Sequence, residues 1–200
     1  MKLFYSPGAC SLAPHIVLQE VGNAYATERV DLKKHQYSGG DYYAINRKGS
    51  VPALQLDDGE LLTENAVVLQ YIADKNPNAK LIPTLGSMER YRAQEWLNFV
   101  ATELHKSFGP LWNPASSDEM KTTAKETIAK KFNLLNEHLG KNSFMLGSAF
   151  SAVDAYVFTI LNWANIHKIE MSQWPALVSY FERIKQRPAV QATLKAEGLT

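Results

Sequence analysis

Cysteine is nearly absent from this chain: one residue, Cys10, in 200. A single thiol cannot close an internal disulfide, so no covalent staple is expected and nothing argues for export. Of the five histidines, His15, His35, His138 and His167 show no metal-ligand spacing, and with one cysteine no zinc site is expected. An excess of either charge is missing too, with 21 basic against 20 acidic side chains. That balance gives no electrostatic case for nucleic acid or for an anionic membrane surface. No apolar run approaches the roughly 20 residues of a bilayer span. The opening Met1-Lys2-Leu3-Phe4-Tyr5-Ser6-Pro7-Gly8 breaks too early for a signal peptide. The cytoplasm is the expected compartment. Phosphate-loop, dinucleotide-binding G-x-G-x-x-G and G-x-S-x-G nucleophile patterns are all lacking, as are repeats and low-complexity tracts.

What is present is an ordinary globular composition, 46% apolar and 20% charged. A chain of this length makes one large domain or two small ones and buries roughly 70% of its unfolded surface. The sequence changes style near residue 80. Before it, short β-prone pieces alternate with helical ones: a strand at Lys2–Tyr5, a helix at Ser11–Val21 stopped by Gly22, and a strand at Tyr25–Val30. Asp41–Asn46 is at most a short helix. Val51–Leu56 and Glu60–Leu62 flank Asp57-Asp58-Gly59, a hairpin signal, and Asn65–Lys75 returns to helical spacing. The order β-α-β-α-β-β-α is a thioredoxin-like plan. Beyond a proline-bearing linker no strand is expected. Helices are predicted at Ser87–Phe108, Asp118–Leu139, Ala152–Lys168, Pro175–Gln186 and Ala189–Ala196, the third with Ser151 and Asp154 placed for a capping interaction. The expectation is an α/β domain over 1–80, a linker over 81–86 and an all-helical domain over 87–200.

Cys10 follows Ser6-Pro7-Gly8-Ala9 and opens the first helix. A helix start offers unpaired N–H groups and partial positive charge, which favour a thiolate. A lone cysteine is also commonly a small buried hydrophobe, and position in the chain tilts this one toward chemistry. Ala13 stands where a dithiol mechanism needs its second cysteine, so dithiol exchange is excluded, whereas a mixed disulfide with another molecule's thiol is allowed. Ser50-Val51-Pro52 begins the third strand of the plan. It is either a plain strand start or, with a cis bond, a place where Val51 presents backbone groups to an extended ligand. Thr63-Glu64-Asn65-Ala66 is a helix start rich in capping side chains. It either caps itself or holds a carboxylate on its N–H groups, with Glu64 available for an ammonium. On the first helix of the second domain, Asn98, Thr102 and His105 fall at i, i+4 and i+7, beside an inward stripe of Ala93, Leu97, Val100 and Leu104. His105 is the stripe member expected to titrate near neutral pH. Phe108, Leu111, Trp112 and Trp163 are candidates for an apolar wall, although such large apolar side chains belong more often to a core than to a pocket.

Several segments together resemble the bacterial glutathione S-transferases of the cysteine-bearing beta class. They are Tyr5-Ser6-Pro7-Gly8-Ala9-Cys10-Ser11-Leu12, Gly49-Ser50-Val51-Pro52-Ala53-Leu54, Leu62-Thr63-Glu64, Glu95-Trp96-Leu97-Asn98, Ala101-Thr102-Glu103-Leu104-His105-Lys106 and Ala152-Val153-Asp154-Ala155-Tyr156. The resemblance runs from Met1 nearly to the C-terminus. It implies a thioredoxin-like domain carrying a glutathione site, a helical domain holding the site for an electrophile and dimer contacts, and a two-fold homodimer. Glutathione would be co-substrate, with no cofactor and no metal. Position by position, the resemblance puts Cys10 against the glutathione sulfur and Val51, before a cis Pro52, against the cysteinyl backbone. Glu64 and Asn65 fall at the γ-glutamyl end. His105 falls near the sulfur and the electrophile, with Asn98, Thr102, Glu103 and Leu104 beside it. The glycyl carboxylate is expected at Lys34, with His35 the alternative. The chain departs from the family where Asn65 replaces a small Ser or Gly, where Arg47 replaces a frequent proline, and in a short loop near His35–Asp41.

The implied activity is conjugation of the glutathione thiol to small hydrophobic electrophiles, a detoxification reaction. The rival readings are a glutathione-dependent thiol reductase passing through a Cys10 mixed disulfide, and a non-catalytic interaction module on the same fold. Cys10, His105, Ser11 and Tyr5 are the candidates for stabilising the thiolate. A two-unit drop in thiol pKa needs about 2.7 kcal/mol of preferential stabilisation.

Overall fold

The computed structural model describes all 200 residues, Met1–Thr200. The chain forms two compact units, Met1–Ile82 with Arg187–Thr200, and Pro83–Gln186. In the first unit, β1 (Lys2–Tyr5) leads through α1 (Leu12–Val21) to β2 (Ala26–Arg29), which pairs with β1 in parallel. This is the crossover that the spacing predicts, because parallel neighbours need an intervening helix. A two-residue hairpin, β3 (Gln36–Tyr37) and β4 (Gly40–Asp41), follows, then a 3₁₀ turn at Tyr42–Ala44. β5 (Ala53–Gln55) and β6 (Leu61–Thr63) close the sheet as the predicted antiparallel hairpin, in the order β2-β1-β5-β6. α2 spans Asn65–Lys75.

Successive β1 side chains point to opposite faces, yet Leu3 and Phe4 are both buried, so both faces of the central strand are covered. Phe4 packs with Val30, Tyr42, Val51 and Ala53. α1 buries Leu12, Ala13, Ile16 and Val17, and it packs on α2, which buries Val68, Leu69, Ile72 and Ala73.

The second unit is all helical: α3 (Met88–Phe99), a π-helical stretch (Val100–His105), α4 (Gly109–Trp112), α5 (Asp118–Leu139), α6 (Ala152–Ile166) and α7 (Pro175–Lys185). The helix expected to run unbroken over Ser87–Phe108 therefore changes its winding partway. α6 is apolar nearly all round and buried along most of its length, as befits a central helix. The end of α7 opposes Ser143, whose carbonyl accepts from Arg183. The start of α7 lacks a cap of its own, and Asn136 of α5 supplies one through its side-chain oxygen to the N–H groups of Ala176 and Leu177.

α8 (Pro188–Glu197) corrects the expected domain over 87–200, because its segment belongs to the first unit. Arg187 forms a two-pronged ion pair with Glu20 of α1 at 2.6 and 3.0 Å. Pro188, which cannot extend α7, lets the chain change direction there. The boundary falls inside the predicted 81–86 linker, with Leu81 and Ile82 in the first unit and Pro83–Gly86 in the second.

The buried Asp154 at the start of α6 accepts from the backbone N–H groups of Met145 and Ser151, and from the hydroxyls of Ser151 and Tyr180. Burial raises its carboxyl pKa, and these bonds pull it back. Asp154→Ala leaves buried donors without an acceptor, at about 1–3 kcal/mol each. The expected loss is about 3–5 kcal/mol of stability, read as a lowered urea midpoint with an unchanged m-value.

Candidate active site

Between β1 and α1 the chain turns through Ser6–Ser11, and most of its polar groups are satisfied within the first unit. Buried Ser11 closes the turn, its hydroxyl accepting from the Ser6 N–H at 3.1 Å and donating to the Ser6 carbonyl at 3.3 Å. Gly8 sits at φ +71°, a left-handed conformation that favours glycine. That turn aims the Gly8 N–H at Glu197 Oε2, 2.9 Å away, while Glu197 Oε1 lies 2.7 Å from His15 Nδ1. The Cys10 thiol, half-buried, donates to the Val51 carbonyl at 3.1 Å. The Val51–Pro52 bond is cis. Asn65 donates from its side-chain amide to the Cys10 carbonyl at 3.1 Å. Cys10, Val51 and Asn65, chosen from three separated segments, thus meet.

At the start of α2, Glu64 occupies φ +70°, ψ +117°, a conformation that costs a non-glycine residue of order 1–3 kcal/mol. No side chain caps this helix, so the self-capping reading of Thr63-Glu64-Asn65 is corrected. The inverted Glu64 backbone directs the side chain outward instead, where it pairs with Lys48 Nζ, which also donates to Thr63 Oγ1 at 3.0 Å. The Asn65 side-chain oxygen is buried and has no hydrogen-bond partner. Lys48 was not legible as a site residue, being one cation among 21 basic residues with no pattern to mark it. Lys34 is exposed, its backbone N–H held by Asp31 at 3.2 Å. His35, at φ +51°, stacks on Tyr43 at 4.5 Å with its Nδ1 buried and unpartnered. The close approach of Tyr43 also explains Gly49, where an added Cβ would come within 2.6 Å of the ring.

In the helical unit the predicted polar stripe does not survive. A π stretch inserts one extra residue into the helix and rotates everything after it relative to regular spacing. Asn98 and Thr102 stay exposed, and Thr102 donates its hydroxyl back to the Asn98 carbonyl at 3.0 Å. Glu103, exposed, pairs with Lys131 at 2.7 Å. Leu104 is 0% exposed, its side chain spent in the core with Ala93, Leu97 and Val100. His105 turns inward, its Nδ1 2.8 Å from the Tyr156 hydroxyl and its ring edge-on to Trp163 at 4.8 Å. Burial, helped by the charge of Lys106, lowers its pKa to about 4. It is therefore neutral at pH 7, which corrects the expectation that it titrates near neutrality. Phe108 and Trp163 are buried, so as wall candidates they are core, whereas Trp112 is exposed.

Of the groups weighed for thiolate stabilisation, Ser11 has both hydroxyl functions committed to Ser6. Tyr5 has its phenol pKa raised, by burial first and then by the Glu197 charge, so it does not ionise near neutrality.

Glu197→Ala removes the carboxylate that accepts from the Gly8 N–H and pairs with His15, and about 2–4 kcal/mol of stability should go with it. Amide exchange at Gly8 should accelerate more than at α5, a comparison that hydrogen-exchange mass spectrometry makes directly. Acid titration provides a separate check on the helical unit. His105 binds its proton below pH 5 when folded but near pH 6.5 when unfolded, so lowering the pH from 7 to 4 stabilises the unfolded chain. The wild type should lose about 3 kcal/mol over that interval relative to His105→Gln, and the His105 ring resonances should titrate near pH 4.

Residues 8–75 match the family model of the glutathione S-transferase N-terminal domain, and residues 99–188 that of the C-terminal domain. Over 200 residues, all of both chains, the sequence is 46% identical to glutathione S-transferase GstA of Escherichia coli O157:H7. Among solved structures, a sphingomonad glutathione S-transferase complexed with glutathione superposes with a TM-score of 0.97 at 48% identity, covering 100% of both chains. A bacterial beta class glutathione S-transferase of Sphingomonas chungbukensis gives the same score, identity and coverage. With its thioredoxin-like unit, its helical unit and these full-length likenesses, the chain belongs to the glutathione S-transferase family, in its bacterial beta class.

Proposed function

We propose that the protein is a glutathione transferase, adding the thiol of reduced glutathione to small hydrophobic electrophiles. The observation that carries this is the convergence of Cys10, Val51 and Asn65 beside the uncapped start of α2. Val51 precedes the sheet ladder, so its backbone can pair with an extended peptide as an added strand does. The open N–H groups of α2 suit the α-carboxylate of the γ-glutamyl end, and the buried Asn65 oxygen can accept from a donor there. Glu64 is placed for the ammonium, which would compete with Lys48 for it. Lys34 and His35 lie on the segment assigned to the glycyl carboxylate, and exposed Lys34 is the cation we assign to it. The electrophile is assigned to the helical unit.

Cys10 is assigned a place against the sulfur of the bound tripeptide, where the partial charge at the start of α1 favours a thiolate. His105, being neutral, can contribute a hydrogen bond and no cationic field. Asn98, Thr102 and Glu103 keep only a supporting role in this reading, and Leu104 acts through its backbone. The proposed enzyme works in the cytoplasm as a homodimer, and exposed Leu85, Met88 and Tyr91 at the start of α3 give it an apolar surface for a second copy.

Calorimetric titration of the reduced protein with glutathione should give saturable heat at one site per chain, and a chlorodinitrobenzene assay should show conjugation. Cys10→Ala should keep the tripeptide affinity within about threefold, since one thiol hydrogen bond is worth about 0.5 kcal/mol in this half-buried setting, while abolishing any mixed disulfide detected by mass. Absence of heat in the wild type refutes the transferase reading.

A further inference from the structure

One cation stands across the start of α2. Lys48 Nζ donates to Thr63 Oγ1 at 3.0 Å and to Glu64 Oε1, so it joins the last residue of β6 to the residue that precedes α2. The backbone at both ends of this bridge is held by other bonds. The Lys48 N–H donates to Asn46 Oδ1 at 3.1 Å, and buried Asn46 donates its side-chain amide to the Ser50 carbonyl at 2.7 Å, where the Tyr42 hydroxyl donates as well. The Glu64 carbonyl accepts from the Val67 and Val68 N–H groups at 3.0 and 2.9 Å, which fixes its positive-φ backbone independently of its side chain. The paired groups themselves are free to part. The side chains of Lys48 and Glu64 are 54% and 65% exposed, and an ion pair in such a setting is worth no more than about fivefold in an equilibrium constant. A weak contact between firmly placed roots is one that a ligand can displace without disturbing the fold.

We propose that Lys48 is an internal competitor for the γ-glutamyl end of the ligand, and thereby a specificity-determining residue. Its ε-ammonium sits on Glu64, where the α-ammonium of the tripeptide is assigned, so glutathione binds by exchanging one ion pair for another. Removing the competitor tightens glutathione, because the ligand then gains a pair without first losing one. A tripeptide that lacks the α-amine leaves the Lys48–Glu64 pair in place and gains nothing from its removal. Lys48 therefore sets how strongly the site distinguishes peptides with a free α-amine from those without one, and it narrows that distinction. Salt acts on the same contact. Exchange leaves the number of exposed ion pairs unchanged, whereas a newly formed pair is weakened by screening. The inference rests on the transferase reading above and deepens it by naming what limits recognition of the ligand's amine.

Calorimetric titrations of the full chain test this. Lys48→Met keeps a stem of similar length and removes the charge at an exposed position, so the fold should persist. At about 20 mM salt the variant should bind glutathione about threefold more tightly than the wild type. Glutaryl-cysteinylglycine, which keeps the carboxylates and lacks the α-amine, should bind both proteins equally. Raising the salt to about 500 mM should erase the gain with glutathione. Lys48→Arg, which keeps the charge, should bind glutathione as the wild type does. In conjugation assays Lys48→Met should lower the KM for glutathione about threefold and leave kcat unchanged, as a change in uniform binding does. Weaker binding of glutathione by Lys48→Met makes Lys48 a ligand of the tripeptide rather than its rival and overturns the proposal. A gain shared by the two peptides assigns the effect to the shape of the helix start and overturns it too, as does no change with either. In each of these cases saturable heat with glutathione leaves the transferase reading standing. If neither the wild type nor Lys48→Met gives heat with glutathione, both readings fall together.

Discussion

The turn that carries the only thiol depends on a carboxylate from the far end of the chain. Glu197 spends one oxygen on the Gly8 N–H and the other on His15 of α1, so a single buried side chain fixes both the loop before Cys10 and the helix after it. The Gly8 amide has no neighbouring strand to pair with, and burying it without an acceptor would cost as much as a lost core contact. The constraint runs both ways. Arg187 grips Glu20 at the other end of α8, giving the helix two polar anchors on α1 with an apolar seam of Val190 and Leu194 buried between them. The last fourteen residues thus belong to the thioredoxin-like unit in the physical sense, although they are helical and follow the helical unit in sequence.

With the turn fixed, the thiol environment follows from what is already committed. Ser11 closes its own turn, and Tyr5 is held protonated by burial. Under the transferase reading, a preference of about 2.7 kcal/mol for thiolate would draw on N–H donors and the partial charge at the start of α1. Such donors lose nothing on reorganisation because the turn already holds them, which is the condition under which modest dipoles become effective.

What could be read from the sequence was whatever is decided by neighbours in the chain. β1, α1, α2 and the β5–β6 hairpin announce themselves through apolar spacing, Gly22 and Asp57-Asp58-Gly59, and the structure has them within a residue or two. Ser151 and Asp154, three residues apart, are likewise a local signal, and Asp154 binds Ser151 as the spacing suggests. Cys10, Val51 and Asn65 were chosen by a resemblance of motifs, and their meeting is a tertiary fact that no spacing dictates. Glu197 and Lys48 were not legible at all. Each acquires its meaning from a partner at least 15 residues away, and nothing in an isolated Glu or Lys records that.

The polar stripe on α3 shows the same limit more sharply, because there the local rule itself misleads. Regular winding at 3.6 residues per turn places Asn98, Thr102 and His105 together on one exposed face, where an imidazole would keep its usual pKa and titrate near neutrality. The π stretch over Val100–His105 adds one residue to the count, and one residue of helix is about 100° of rotation. Thr102 remains outside and back-bonds to its own helix, while His105 swings under Tyr156 and Trp163. No composition or period forbids the regular helix. What favours the bulge is the company His105 finds inside, a phenol at hydrogen-bond distance and a large ring edge-on, both supplied by α6. An exposed base is thereby exchanged for a fixed, neutral hydrogen-bonding group, and it is tertiary packing rather than local propensity that makes the exchange.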